Sequence, residues 1–303
     1  MSAPLLLGVD AGGSHTTALV ADGAGRPLGS AHGEPGAVRP GREQAAADAI
    51  LDTCRQVLRH LPAGARADVL VVGAAGAGAD APREALRAAL LVGGLAPTVL
   101  VTTDAEIALV AAFGAEPGIV LLAGTGSIAW ARLPDGAMAR IGGLGPTLGD
   151  QGSGFDIGRQ GLRAAALARQ GLGDATLLGP RILPDDAALA SAVLSQHETP
   201  PRLVAMLARL VIEAADGGDA VARRIVESGA DQLLAHVAAL ARRFPPGSRV
   251  KVALGGGLLS SSQSYRNRVM ERLAAQPHLV VDTTPIEPAK GAIEIARGAA
   301  GAG

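Results

Sequence analysis

Two glycine-tipped strand pairs, one opening the chain and one 112 positions further on, constrain this sequence more than any other feature it has. Leu5–Asp10 is an apolar run ending in a carboxylate, Ala11-Gly12-Gly13-Ser14-His15-Thr16 turns the chain, and Thr17–Asp22 reads as the returning strand. Ile119–Ala123, Gly124-Thr125-Gly126-Ser127 and Ile128–Arg132 repeat the design, and the turn at Asp22-Gly23 is matched 113 positions later by Asp135-Gly136. An ancestral duplication explains the repeat. Around it, strand-like runs at Leu28–Ala31, Val69–Gly73 and Thr98–Thr103 alternate with helical periodicity over Gly41–Leu61, Pro82–Leu90 and Ala105–Phe113. After a glycine-dense loop, Gly142–Gly154, the chain reads as mostly helical from Ile157 to Arg243, interrupted near Pro184. A late strand, Arg249–Leu254, runs into Gly255-Gly256-Gly257, and Ala289–Arg297 reads as a closing helix. The pattern predicts two α/β halves, each opened by a glycine-tipped hairpin.

With 303 residues and 48% apolar composition, the chain can bury two cores of ordinary size. Its 27 basic and 28 acidic residues nearly cancel and only 2% are aromatic, so it has neither the charge footprint nor the stacking platforms of a nucleic-acid binder. Cys54 is the only cysteine, which excludes an intrachain disulfide, a zinc ribbon and a self-contained iron–sulfur ligand set. A reducing cytoplasm fits. The first ten residues lack a basic signal-peptide region, and no run of ~20 apolar residues would span a bilayer. The expectation is a soluble cytoplasmic protein. Six histidines are scattered without metal-ligand spacing, and His15, inside the first tip, reads as a turn residue.

Glycines at a strand-to-strand tip let backbone N–H groups reach phosphate oxygens, and Ser14, Thr16, Thr125 and Ser127 add hydroxyl donors. Either tip alone reads better as a tight hairpin turn. The pair, with the third glycine cluster at Gly255–Gly257, favours nucleotide binding, with the two tips facing each other across a polyphosphate. Gly124-Thr-Gly126-Ser-Ile-Ala129 also matches a dinucleotide fingerprint, but that loop must open a helix, and here Pro134-Asp135-Gly136 soon brings a turn. A Walker-type loop is excluded, since neither Lys251 nor Lys290 lies in one. Asp10, beside the first tip, is a candidate for holding Mg²⁺ through its waters, or it initiates the turn. Asp104 is either a helix cap or a general base that deprotonates an acceptor hydroxyl in line with a γ-phosphate. Asp150 either contacts sugar hydroxyls or caps the helix that follows.

Taken in order, Asp10-Ala-Gly-Gly-Ser-His-Thr16, Thr103-Asp104-Ala105, Leu122-Ala-Gly-Thr-Gly-Ser127, Gly142–Gly154, Leu254-Gly-Gly-Gly257 and Glu287-Pro-Ala-Lys-Gly-Ala292 resemble the BadF/BadG/BcrA/BcrD ATPase family. Within it the chain is most similar to the N-acetylglucosamine and glucosamine kinases. The resemblance implies an actin-like ATPase (ribonuclease H-like) fold with two α/β lobes, ATP between them, Mg²⁺ as cofactor and a homodimer. Residues 1–113 form the N-terminal lobe, rejoined by a closing helix at 289–303, and residues 114–288 the C-terminal lobe. By position, Asp10 and Gly12, Gly13, Ser14 and Thr16 match the first phosphate motif, Gly124, Thr125, Gly126 and Ser127 the second, and Gly255, Gly256 and Gly257 the adenosine motif. Asp104 falls on the family's catalytic aspartate; with it, Gly143, Leu144, Asp150 and Gln151 match positions that face the sugar. Three departures stand out: Gln151 replaces the usual glutamate, Leu144 the common tryptophan, and the asparagine expected near Gly36-Ala37-Val38 is missing. The implied activity is phosphorylation of an amino sugar at its 6-hydroxyl. Two rivals remain: an ATPase that activates a partner reductase, and a sugar or nucleotide sensor without turnover.

Overall fold

The computed structural model describes residues 4–62, 64–185, 187, 188, 191 and 200–301. Its first sheet is built on β1 (Leu5–Ala11), antiparallel to β2 (Thr16–Asp22), which pairs with β3 (Pro27–Gly33). After α1 (Glu43–Leu58), β4 (Val69–Ala74) lies parallel to β1; after α2 (Asp80–Val92), β5 (Thr98–Thr102) lies parallel to β4 and leads into α3 (Asp104–Phe113). The second sheet repeats this plan. β6 (Gly118–Ala123) is antiparallel to β7 (Ser127–Arg132), which pairs with β8 (Met138–Gly142). Helices α4 (Gly145–Leu148), α5 (Gly154–Arg169), α6 (Leu178–Ile182), α7 (Pro201–Asp216) and α8 (Ala220–Ala241) follow. Then β9 (Val250–Gly255) joins β6 in parallel, α9 (Gly257–Ser261) and α10 (Gln263–Ala274) intervene, and β10 (Leu279–Asp282) joins β9 before α11 (Pro288–Gly301) closes the chain. The strand orders, β3-β2-β1-β4-β5 and β10-β9-β6-β7-β8, are one topology used twice.

The chain divides into two compact units, Met1–Glu116 with Thr284–Gly303, and Pro117–Thr283. In the first, strand alternation assigns the faces. Leu7, Val9 and Ala11 of β1 and Leu70, Val72 and Ala74 of β4 share a core with Ile50, Cys54 and Leu86 of α1 and α2. Leu6, Val69 and Val71 point the other way, onto Ile107 of α3 and Ala292, Ile293 and Ala296 of α11. There α11 crosses α3 so closely that a side chain on Gly291 would collide with the Ile107 carbonyl. In the second unit one core joins Ile119, Leu121, Ala129 and Ala131 of the sheet to Ile157 of α5, Val211 of α7, Leu233 of α8 and Tyr265 of α10.

The expected α/β halves and the strands of both hairpins are found, each within about two residues of its expected ends. Met138–Gly142, where the reading placed no element and Gly142 was expected to open the glycine-dense loop, is a strand because it pairs with β7 along its whole length. The long helical region expected from Ile157 to Arg243 includes positions outside the described residues; the described part is several helices, broken at Gly171 and at Gly217-Gly218, where Gly171 and Gly218 take positive φ. The segment after Gly257 carries α9, α10 and β10 where no element was expected. Most of the α10 surface is polar, and its core contacts rest on buried Tyr265, Val269 and Leu273, with half-buried Met270 beside them.

Candidate functional site

In the first unit the period-2 alternation that sends Leu6 toward α3 and α11 puts Asp10 on the same face. The parallel partner of Asp10 is Gly73 of β4, and the space its missing side chain leaves is taken by Ile107 of α3. That close fit brings the first turn of α3, and with it Asp104, to the carboxyl end of β1. Thr103 is the cap of α3: its Oγ1 accepts the Glu106 N–H at 3.1 Å. The Thr102 hydroxyl donates to the Glu106 carboxylate. Asp104 is therefore released from capping, and its Oδ1 accepts the N–H of Ala105 at 3.0 Å. Burial pushes the Asp104 carboxyl above its ordinary range, opposed by the backbone N–H groups of Ala105 and of Asp104 itself. Burial, and then the charge of Asp104, push Asp10 up to about 7. A carboxylate strained in this way by a second one suits a divalent cation. Among the described residues no cluster of three or more His, Cys, Asp or Glu forms a closed cage. Mg²⁺, which keeps waters and phosphate oxygens in its shell, fits such a sparse donor set.

The first tip is tied at its base. The Gly12 N–H donates to the His15 carbonyl at 3.0 Å, and Ala37 N–H donates to the Gly12 carbonyl at 3.2 Å. Thus Gly36–Val38, where the resemblance leads one to expect an asparagine, lies against this turn. Thr16 is fully buried and its hydroxyl donates to the Glu34 carbonyl at 2.7 Å. Gly13 and Ser14 are exposed, and among the described residues their amides have no hydrogen-bond partner.

The second tip is held more tightly, and by Asp150. The Ser127 N–H donates to Asp150 Oδ1 at 3.2 Å, and a side chain on Gly126 would fall about 2.8 Å from that oxygen. The Ser127 hydroxyl donates to the Gln151 carbonyl at 2.8 Å, the Gly154 N–H to the Gly124 carbonyl at 2.8 Å, and the Phe155 N–H to the Thr125 carbonyl at 3.1 Å. With the Gly124 N–H turned onto the Gly126 carbonyl, the amides of Thr125 and Gly126 are the ones left open among the described residues. Asp150 is the one described non-glycine residue with positive φ, +60°. It does not cap α5; Ser153 does, accepting the Asp156 N–H at 3.2 Å. Burial pushes the Asp150 carboxyl up, the Ser127 N–H draws it down and Asp156 adds to the rise. Gly143 donates its N–H to the Ser127 carbonyl, Gln151 is half-buried, and Leu144 is 58% exposed. Gly255 pairs with Leu122, and Gly257 comes within van der Waals reach of Gly124, so the third glycine cluster adjoins the second tip. Cys54 lies sealed in the core with its thiol pushed up to about 12 by burial, and so offers no ligand for a shared iron–sulfur cluster.

The sequence reading missed the capping roles of Thr103 and Ser153, and it missed Tyr265, whose hydroxyl donates to the Gly152 carbonyl at 2.8 Å. Threonine and serine three residues before Glu106 and Asp156 were visible capping signals. Nothing local announces Tyr265.

No described helix is long and apolar enough to cross a membrane. The chain is 29% identical over 235 residues, 75% of its length and 76% of the relative's, to the N-acetylmuramic acid/N-acetylglucosamine kinase of Clostridium acetobutylicum. It is 27% identical to the N-acetyl-D-glucosamine kinase of Dictyostelium discoideum, with 98% of each covered. A solved structure from Chromobacterium violaceum, provisionally named an N-acetylglucosamine kinase, superimposes with a TM-score of 0.81 at 28% identity, covering 97% of this chain and 99% of that one. With the duplicated sheet topology, this likeness gives the actin-like ATPase fold. From residue 7 to residue 296 the sequence matches one family along nearly its whole length, and the chain belongs to it: the BadF/BadG/BcrA/BcrD ATPase family.

Proposed function

We propose that this chain is an ATP-dependent kinase that transfers the γ-phosphoryl group to the 6-hydroxyl of an amino sugar, N-acetylglucosamine or glucosamine. The names of its relatives support the substrate class. The observation that carries the chemistry is Asp104: a half-buried carboxylate at a helix N-terminus, relieved of capping by Thr103 and lying within the electrostatic reach of Asp10. In this role Asp104 orients the acceptor hydroxyl and takes its proton as the oxygen attacks the γ-phosphorus. Asp10 would hold Mg²⁺ through its waters, and the bound ion would supply positive charge toward the phosphate oxygens. The amides of Gly13 and Ser14 and those of Thr125 and Gly126 bind phosphate oxygens, with Gly12, Thr16, Gly124 and Ser127 shaping the two turns. Gly255, Gly256 and Gly257 take the adenosine, and Gly143, Leu144, Asp150 and Gln151 border the sugar. A homodimer in a reducing cytoplasm completes the reading; sedimentation velocity at micromolar concentration should give a dimer, and a monomer would remove that part.

The test is coupled ADP release over a panel of glucosamine, N-acetylglucosamine and N-acetylmuramic acid, run on the parent protein and on Asp104→Asn. A positioned base contributes ~10²–10⁴ in rate. The variant should lose that much in kcat for the preferred sugar while its affinity for ADP stays within about twofold. Turnover within about tenfold of the parent would remove Asp104 from the mechanism. ADP release that no sugar stimulates would remove the kinase.

A further inference from the structure

Tyr265 is the only tyrosine in the chain, lies wholly inside the core of the second unit, and points its hydroxyl at one partner, the carbonyl of Gly152. Phenylalanine would fill the same space without carrying a polar atom into an apolar core, which costs free energy unless the atom is bonded. The surroundings are cut to admit that bond. A side chain on Gly229 of α8 would stand 2.9 Å from the hydroxyl, and one on Gly152 would collide with the Gly229 carbonyl. Gly152, at φ +73°, is also held from its other side, its N–H donating to Asp156 Oδ2 at 3.0 Å. Clamped at both ends, it fixes a strained neighbour, Asp150, whose carboxylate receives the Ser127 N–H. Two further bonds run from the same loop to the second tip, from Gly154 N–H to Gly124 and from Phe155 N–H to Thr125.

The other end of this connection is the third glycine cluster. Tyr265 stands in the first turn of α10, capped by Ser262, which directly follows α9 and therefore Gly256-Gly257. The next residue, Arg266, returns to the end of β9 by donating to the Leu254 carbonyl at 3.3 Å.

We propose that Tyr265 is a positioning residue for the nucleotide: one hydrogen bond ties the segment that follows Gly255–Gly257 to the loop that shapes Gly124–Ser127, so that the two turns keep one fixed spacing. The inference rests on the nucleotide-binding role proposed above for both turns. It predicts that removing only the hydroxyl weakens nucleotide binding more than an equal loss of core packing does.

Calorimetric titration with ADP and Mg²⁺, alongside thermal melts, tests this on the full chain, on Tyr265→Phe and on Val269→Ala, a core truncation one turn further along α10. Loss of one hydrogen bond that shapes a site should raise the Kd of Tyr265→Phe about five- to tenfold. Val269→Ala should melt at least as many degrees lower and still bind ADP within about twofold of the parent. Equal affinity in Tyr265→Phe and the parent, or an equal loss in Val269→Ala, overturns the proposal. In the parent protein alone, ADP should slow hydrogen exchange at the amides of residues 152–156 together with Thr125 and Gly126, and unchanged exchange at 152–156 also overturns it. A parent that binds no ADP at all would instead sink the nucleotide reading of both turns, a separate failure visible in the first titration.

Discussion

Asp10 and Asp104 show what two carboxyls within electrostatic reach of each other cost the protein that carries them. With its pKa pushed up to about 7, Asp10 holds its proton in the folded state at pH values where the unfolded chain has lost it. Between roughly pH 4 and 7 the native state therefore binds more protons than the unfolded one, and stability falls as pH rises through that window. Asp10→Asn should accordingly raise metal-free stability at pH 8, by on the order of 1–3 kcal/mol after allowance for solvent screening, and change little at pH 4. Chemical denaturation at the two pH values checks both the size and the sign. The same substitution should abolish sugar phosphorylation. In the role proposed for it, Asp104 must be ionised to accept a proton, and burial raises its pKa, so kcat should drop on the acid side at a higher pH than an ordinary aspartate would give. A pH–rate profile at saturating sugar and Mg-ATP would reveal it.

Among the elements, α8 depends on its start. Asp219 caps it, accepting the Ala222 N–H at 2.8 Å, and also receives the Leu177 N–H at 2.6 Å and the Thr176 hydroxyl at 3.0 Å, so one carboxylate joins α8 to the approach to α6. Burial alone would raise its pKa, but these hydrogen bonds outweigh it and hold the group low. The stability it adds is complete at neutral pH and is lost as pH falls through that depressed value. Asp219→Ala should cost about 1–3 kcal/mol at pH 7 and clearly less near pH 3, by urea melts at each. How far such elements can be read in a sequence depends on how local their causes are. The hairpins of β1–β2 and β6–β7 were legible because apolar runs, glycine turns and period-2 alternation all lie within twenty residues. Asp10 and Asp104 were legible as types at the ends of strands, but not Thr103 as the cap that sets Asp104 free. Asp150 as a support of the second tip and Tyr265 as a support of Gly152 were not, since their partners stand 23 and 113 residues away.

At the scale of the molecule, the duplication has kept its geometry and divided its chemistry. Asp10 and Leu122 occupy the same slot: each is the penultimate residue of its central strand, and each lies beside a glycine, Gly73 or Gly255, of the parallel neighbour. Only the first unit has a carboxylate there. That unit is also the discontinuous one, since α11 supplies Ala292, Ile293 and Ala296 to its core and wedges against the α3 that bears Asp104. A chain ending at Glu287 should lose cooperative unfolding of the first unit, seen as rapid amide exchange through β1 and β4, while residues 117–283, made alone, should retain helical circular dichroism and a cooperative melt. A ribosome synthesising this protein makes Asp10 and Asp104 before the second unit, residues 117–283, and makes the helix that braces them only after it. A nascent chain thus carries its acidic pair unbraced until the whole of the second unit has been made.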